Sequence, residues 1–140
     1  MTTFIRTVFV LVFFLIMSAC DEDSSAACTG NLCPFVGNWQ LVEVSVDGNV
    51  GTGDYSQYQL NLSAPVDENP IASYTRNFNS NLNESGTWTV SANTDLVILT
   101  EDGQEEVHVV EQININTLIT VLQRKSMKGG PEQLRYVFTK

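Results

Sequence analysis

Three cysteines, one histidine and a crowd of carboxylates are the residues of this 140-residue chain whose types could do chemistry. Cys20 ends an apolar run, and Cys28 and Cys33 follow it in a short polar stretch. Two cysteines fall short of the four ligands of a structural zinc site, and their spacing is not the C-x-x-C of a redox pair. In an exported chain they read as a disulfide across a turn at Gly30 and Asn31. Free thiols are the alternative. His108 is the only histidine, and it alternates against Val107 and Val109. That parity puts it on the surface, away from any nucleophile and orienting acid. Glu101, Asp102, Glu105 and Glu106 crowd one hairpin without the spacing of a calcium loop. They read as a solvated turn. No catalytic constellation, metal site or cofactor motif emerges, so the chain is expected not to be an enzyme and to need no cofactor.

The segment that leads to Cys20 carries a different message. Arg6 precedes an unbroken apolar run from Val8 to Met17, then Ser18 and Ala19 stand before Cys20. These are the three parts of a secretory signal. The run is too short for a hydrocarbon core, which takes about 20 residues. Met17-Ser18-Ala19-Cys20 resembles the lipobox of bacterial lipoproteins. The resemblance implies cleavage before Cys20 and acylation of that residue, with residues 1–19 as the signal peptide. Several acyl chains anchor a protein stably where one holds it only marginally. The partner implied is a membrane, reached through the N-terminal lipid. Asp21-Glu22-Asp23 next to the lipidated cysteine resembles a sorting signal, which points to the outer membrane or cell surface before the inner membrane.

Residues 20–34 are small and polar and read as a flexible tether. The chain has 16 acidic and 7 basic residues, and Arg6 is the only charge in the signal segment. The mature part is therefore even more acidic than the formal −9 of the whole. Such a surface repels phosphate backbones and disfavours nucleic acid as a partner. Solubility is the plain explanation of the charge; a field that attracts a cationic ligand is the sharper one.

From Phe35 to Lys140, turn residues alternate with short runs rich in Val, Ile, Leu, Thr, Tyr and Trp. The runs are 37–46, 55–62, 71–78, 86–91, 95–100, 106–113, 117–124 and 133–139, with 77–85 as a loop. Asp47-Gly48 and Asp102-Gly103 are strong hairpin signals. Tyr58, Leu60 and Leu62 share one face of their run, as do Leu134, Tyr136 and Phe138. Consecutive hairpins of this kind predict an all-β domain over 35–140, an antiparallel eight-stranded up-and-down barrel. A β-sandwich is the runner-up and would need Greek-key crossovers.

Gly37-Asn38-Trp39 at the start of the first run looks like the G-x-W signature of lipocalins and their calycin relatives. Ser85 to Val90 and Asp95 to Thr100 are similar to small lipocalin-like lipoproteins of Gram-negative bacteria. The resemblance implies that Gly37 and Trp39 close one end of the barrel. It also implies a basic residue across Trp39, for which Arg124 and Arg135 are the candidates by position. The expected function is non-catalytic binding of a small apolar ligand, with Tyr58, Leu60, Tyr74, Trp88 and Tyr136 lining the interior. Arg76 shares parity with Ala72, Tyr74 and Phe78. It either points inward, where it could meet an anionic headgroup, or reaches water at the rim. The alternative function is a filled barrel that docks on another envelope protein or inhibits an exported enzyme.

Overall fold

The computed structural model describes residues 28, 30–66, 69–79, 81–127 and 129–140. The expected signal peptide, the Cys20 lipidation site and the acidic run after it lie outside the described residues. Nine strands follow one another: β1 (Gly37–Val46), β2 (Asn49–Val50), β3 (Gln59–Leu62), β4 (Ala72–Asn79), β5 (Leu82–Val90), β6 (Leu96–Glu101), β7 (Gln104–Ile113), β8 (Thr117–Lys125) and β9 (Pro131–Thr139). β2 is a two-residue appendage of β1. The other eight pair antiparallel, each with the next along the chain, and β9 returns to pair with β1. Closure leaves none of these eight with a free edge. The fold is the expected up-and-down barrel.

Hairpin chemistry sets the register. Asp47-Gly48 and Asp102-Gly103 hold positive φ at both central residues (49° and 82°, 48° and 78°). That is the two-residue turn whose twist matches paired strands. Three departures from the sequence reading follow. The run expected from Tyr55 is strand only from Gln59, because the Gln40 amide binds the Tyr55 and Tyr58 carbonyls, each at 2.8 Å, and holds the preceding turn off the sheet. The loop expected over 77–85 is mostly strand, with Asn79 pairing Leu82 across a tight reversal. On β7 the faces are exchanged: Val107 and Val109 are 40% and 45% exposed, while His108 is 7% exposed and points inward.

The packed core fills one end of the barrel. Trp39, Leu62, Trp88, Leu118 and Phe138 lie there, capped by Phe35 and Leu32. Leu32 falls within the stretch read as tether, yet it is buried in this core. The turn 31–35 lays it against the barrel because the Cys28–Cys33 disulfide closes the loop behind it. The Asn31 amide also reaches the Ala92 carbonyl at 3.3 Å, in the turn between β5 and β6.

Gly86 on β5 shows how tightly the wall is drawn. A Cβ there would stand 2.1 Å from the Thr100 carbonyl oxygen and 2.9 Å from the Tyr74 ring. The Tyr74 side chain occupies the space that any larger residue would need. Gly86→Ala is expected to lower stability by about 2–3 kcal/mol through overpacking. Gly130→Ala, in open space, should change it by less than about 0.5 kcal/mol. Urea unfolding midpoints of the two variants check this; equal midpoints would show that the β5–β6 approach is slack.

Candidate functional site

The barrel's other end is a cup of about 970 Å³. Its wall joins residues of every long strand: Leu41 and Val44 from β1, Tyr74, Arg76 and Phe78 from β4, and Glu84 from β5. Leu99 and Glu101 come from β6, Glu106 from β7, Leu122 from β8 and Tyr136 from β9, with Tyr55 and Tyr58 from the loop before β3. A register shift between Leu41 and Glu43 lets Trp39, Leu41 and Val44 all face inward although their spacing breaks strict alternation.

A polar layer forms the floor. Arg76 lies at mid-barrel, paired in register with Leu60 on one side and Glu84 on the other. Its guanidinium donates from Nε to Glu84 Oε2 at 3.0 Å and from Nη1 to Glu106 Oε1 at 2.6 Å. The second bond crosses the interior, since Glu106 sits three strands away on β7. The same Glu106 oxygen lies 2.7 Å from His108 Nε2, and His108 Nδ1 lies 3.2 Å from the Thr120 hydroxyl. Arg76 also sits 5.0 Å over the Phe78 ring, and Phe78 meets Tyr58 edge-on at 5.0 Å. Below this layer lies a void of about 10 Å³, between Leu60, Leu99, Leu118 and Phe138. That is at the lower limit for a single water. The lower barrel is filled, and the upper barrel is open.

The electrostatics follow from the contacts. Burial disfavours the charge on Arg76, but Glu106 and Glu84 outweigh it and hold the guanidinium cationic beyond its ordinary range. Burial likewise opposes the Glu106 carboxylate, and the hydrogen bond from His108 and the charge of Arg76 overcome it, pulling its pKa down to about 2. Burial pushes the Tyr58 and Tyr136 phenols upward, so both are neutral at physiological pH.

The residues singled out in the sequence divide between the two ends. Tyr58, Tyr74, Arg76 and Tyr136 line the cup. Leu60 lies one layer down, against the small void. Trp88 does not reach the cup: it is buried at the closed end, its indole donating to the Ser63 carbonyl at 3.2 Å and meeting Phe35 edge-on. Arg76 points inward, with a side chain only 12% exposed, and both its acidic partners are in place. It is therefore neither a rim residue nor an unengaged anchor for an anion. Trp39 is fully buried and its indole donates to the Phe35 carbonyl at 2.6 Å. The cation over Trp39 is Lys140, with Nζ 4.2 Å from the ring centroid. Neither of the two expected arginines reaches Trp39: Arg124 stands at the mouth of the cup, paired with Glu132, and Arg135 is outside, paired with Glu111. Gly37 holds φ at 143°, next to the Lys140 side chain. Glu84, Glu106 and His108 were missed because their strands were given the wrong face or read as loop.

A closed eight-stranded up-and-down barrel, packed at one end and hollow at the other, defines the class of small antiparallel barrels built around an internal cup. A family model described as a lipocalin-like domain matches residues 35–120, and the chain belongs to that family. Among solved structures it is similar to bovine odorant binding protein. One such structure, a complex with a selenium-containing odorant, has a TM-score of 0.52 at 14% identity, covering 80% of this chain and 73% of that one. A second, complexed with its natural ligand, has a TM-score of 0.52 at 14% identity, covering 80% and 74%. A deswapped triple mutant has a TM-score of 0.51 at 12% identity, covering 76% and 74%. At these identities the likeness is one of fold. No curated protein sequence matches the chain.

Glu106 makes the floor sensitive to acid. Its pKa is about 2 in the folded chain against an ordinary 4.5, so its contribution is complete above about pH 4.5 and is lost as pH falls through about 2. Its side chain is 32% exposed, so the full linkage value is discounted to roughly 2 kcal/mol. Glu106→Gln should lower the unfolding midpoint at pH 7 and flatten the decline between pH 4.5 and 2. Parallel urea titrations of the two proteins over that range would refute the assignment.

Proposed function

We propose that this protein is a lipid-anchored carrier of the cell envelope, binding a small, largely apolar ligand in the cup without transforming it. The cup itself is the observation that carries the reading. Its volume lies in the range of small-molecule sites, and Leu41, Val44, Tyr58, Phe78 and Tyr136 give it an apolar wall. The family and its fold add support: the similar bovine protein has been solved with an odorant, with its natural ligand and with undecanal. Binding is favoured over catalysis because the hydroxyl that stands against His108, that of Thr120, is buried beside the small void and does not line the cup. The His108 ring nitrogens are engaged by Glu106 and Thr120 in the floor.

The anchor reading rests on the Cys20 sequence motif, with the outer membrane or cell surface as the site. The geometry is compatible with it. Cys28 and Cys33 sit at the closed end, pinned to the β5–β6 turn through Asn31.

All nine strands and the core lie between residues 30 and 140, so a chain beginning at Asp21 carries the whole barrel. That chain is expected to bind the neutral apolar probe N-phenyl-1-naphthylamine with a rise in probe fluorescence. Val44→Trp, which fills the cup from β1, should weaken binding by at least about tenfold with little change in melting temperature. Unchanged probe affinity in Val44→Trp would place the site elsewhere. In the full chain expressed in a bacterial host, the N-terminal peptide of the mature protein should begin at Cys20 and carry the mass of acyl chains; an unmodified Cys20 would refute the anchor.

A further inference from the structure

The charges inside the cup are unbalanced, and the imbalance has a direction. Carboxylates enter the wall from β5, β6 and β7: Glu84, Glu101 and Glu106, with Asp102 and Glu105 at the β6–β7 hairpin. Two cations line the same space, Arg76 and Arg124. Arg76 is engaged by Glu84 and Glu106. Arg124 is 57% exposed and paired with Glu132, outside the cup. Glu101, Asp102 and Glu105 form no ion pair among the described residues. The opposite wall is aromatic: Tyr58 and Tyr136 pack on Phe138, the first tilted and the second stacked, and Tyr58 meets Phe78 of β4 edge-on. One wall is thus electron-rich ring faces, and the other carries net negative charge.

A concave site with walls of low dielectric focuses such a field. The Glu101 carboxyl already responds to it: partial burial and the neighbouring Glu84 charge make it hold its proton more tightly than an ordinary carboxyl. An anionic headgroup would enter against this field and find the one inward guanidinium occupied. A bare metal ion fares no better, since no group of three His, Cys, Asp or Glu among the described residues is arranged to hold one. A ligand with an apolar body and a positive end satisfies both walls at once. Its ammonium would be attracted to the carboxylates and, through cation–π contact, to the tyrosine faces.

We infer that the cup selects an amphipathic organic cation, its apolar body against Tyr58 and Tyr136 and its ammonium toward Glu101 and Asp102 at the mouth. This rests on the reading of the cup as the binding site and names the chemical class that it takes. Glu101 and Asp102 supply selectivity for charge; the rings supply affinity for the body.

Three probes of one chain length separate the possibilities: decylamine, decanol and decanoate, each titrated against N-phenyl-1-naphthylamine in the chain from Asp21 at pH 7. Decylamine is expected to bind about tenfold more tightly than decanol, which is 1.4 kcal/mol, with decanoate the weakest. Raising salt should narrow the gap between the amine and the alcohol. In Glu101→Gln/Asp102→Asn, a near-isosteric pair of changes at the exposed rim, the ratio should fall toward one. Decanol binding as tightly as decylamine, or a ratio unmoved by the double substitution, overturns the cationic assignment while the cup remains a site. Failure of all three to displace the probe overturns the cup reading together with it.

Discussion

The Arg76 clamp is the contact on which the interior depends. An eight-stranded barrel has just enough room to be filled by its own side chains or to hold one small ligand. Here the lower half is filled with rings and leucines, so the depth of the cup is set by where packing gives way to a polar layer. Arg76 draws that boundary by spanning from β4 to Glu84 beside it and to Glu106 across the interior. Removing three charges from water is costly, and the attraction between them offsets that cost only with good geometry and further hydrogen bonds. The further bonds are present: Glu106 is shared with His108, and His108 with Thr120. Among the described residues no buried side-chain nitrogen or oxygen lacks a partner. Deleting one member would strand the others, which makes the layer a unit rather than a set of pairs.

The two ends of the barrel are held by different physics. At the closed end Trp39 is fixed along its edge by the bond to the Phe35 carbonyl and over its face by Lys140. Burial makes the Lys140 ammonium easier to deprotonate, and its bond to the Val36 carbonyl at 2.8 Å together with the ring face compensates in part. Leu32 and Phe35 seal what remains. Among the described residues the mouth has no such plug. It is rimmed by the hairpins β4–β5, β6–β7 and β8–β9, whose ends are polar and hydrated. The closed end therefore supplies most of the apolar burial, and the mouth is free to differ in chemistry without loss of the fold.

The barrel was legible in the sequence because turn chemistry and strand alternation agree along most of the chain. Asp47-Gly48 and Asp102-Gly103 fixed their hairpins, and Leu134, Tyr136 and Phe138 announced the inner face of β9. The cup's floor was less legible for a specific reason. β6 reads Leu-Val-Ile-Leu from Leu96 to Leu99, so it carries no alternation to orient it. β7 offers two competing faces, one with Val107 and Val109, the other with Glu106, His108 and Val110. Hydrophobicity favours the first, and the structure takes the second. The Asp102-Gly103 turn held the answer. It pairs Glu101 with Gln104, hence Leu99 with Glu106 and Val97 with His108. Trp88 faces inward and pairs with Leu99, so Glu106 must face inward too. That argument needs the β5–β6 register, and the turn after Val90 does not announce one. Lys140 over Trp39 was hidden in the same way, because only the register of β9 brings the last residue to the barrel's first turn.

The distribution of charge explains why acidity here is more than solubility. A solubilising charge faces water, and the outer wall has its share. On the outer wall Arg135 bridges Glu43 and Glu111, while at the mouth Arg124 takes Glu132. Among the described residues Glu101, Asp102 and Glu105 form no ion pair and stand together at the mouth, Glu101 partly shielded from water and all three close to others of their sign. Self-repulsion in that position weakens the fold and adds little to solubility. The strands that carry these carboxylates are neighbours, β5 to β7, while β9 and the loop before β3, which bring Tyr136 and Tyr58, stand across the barrel from them. A wall that segregates charge from rings in this way has a polarity across it, and a ligand that fits it must have one too.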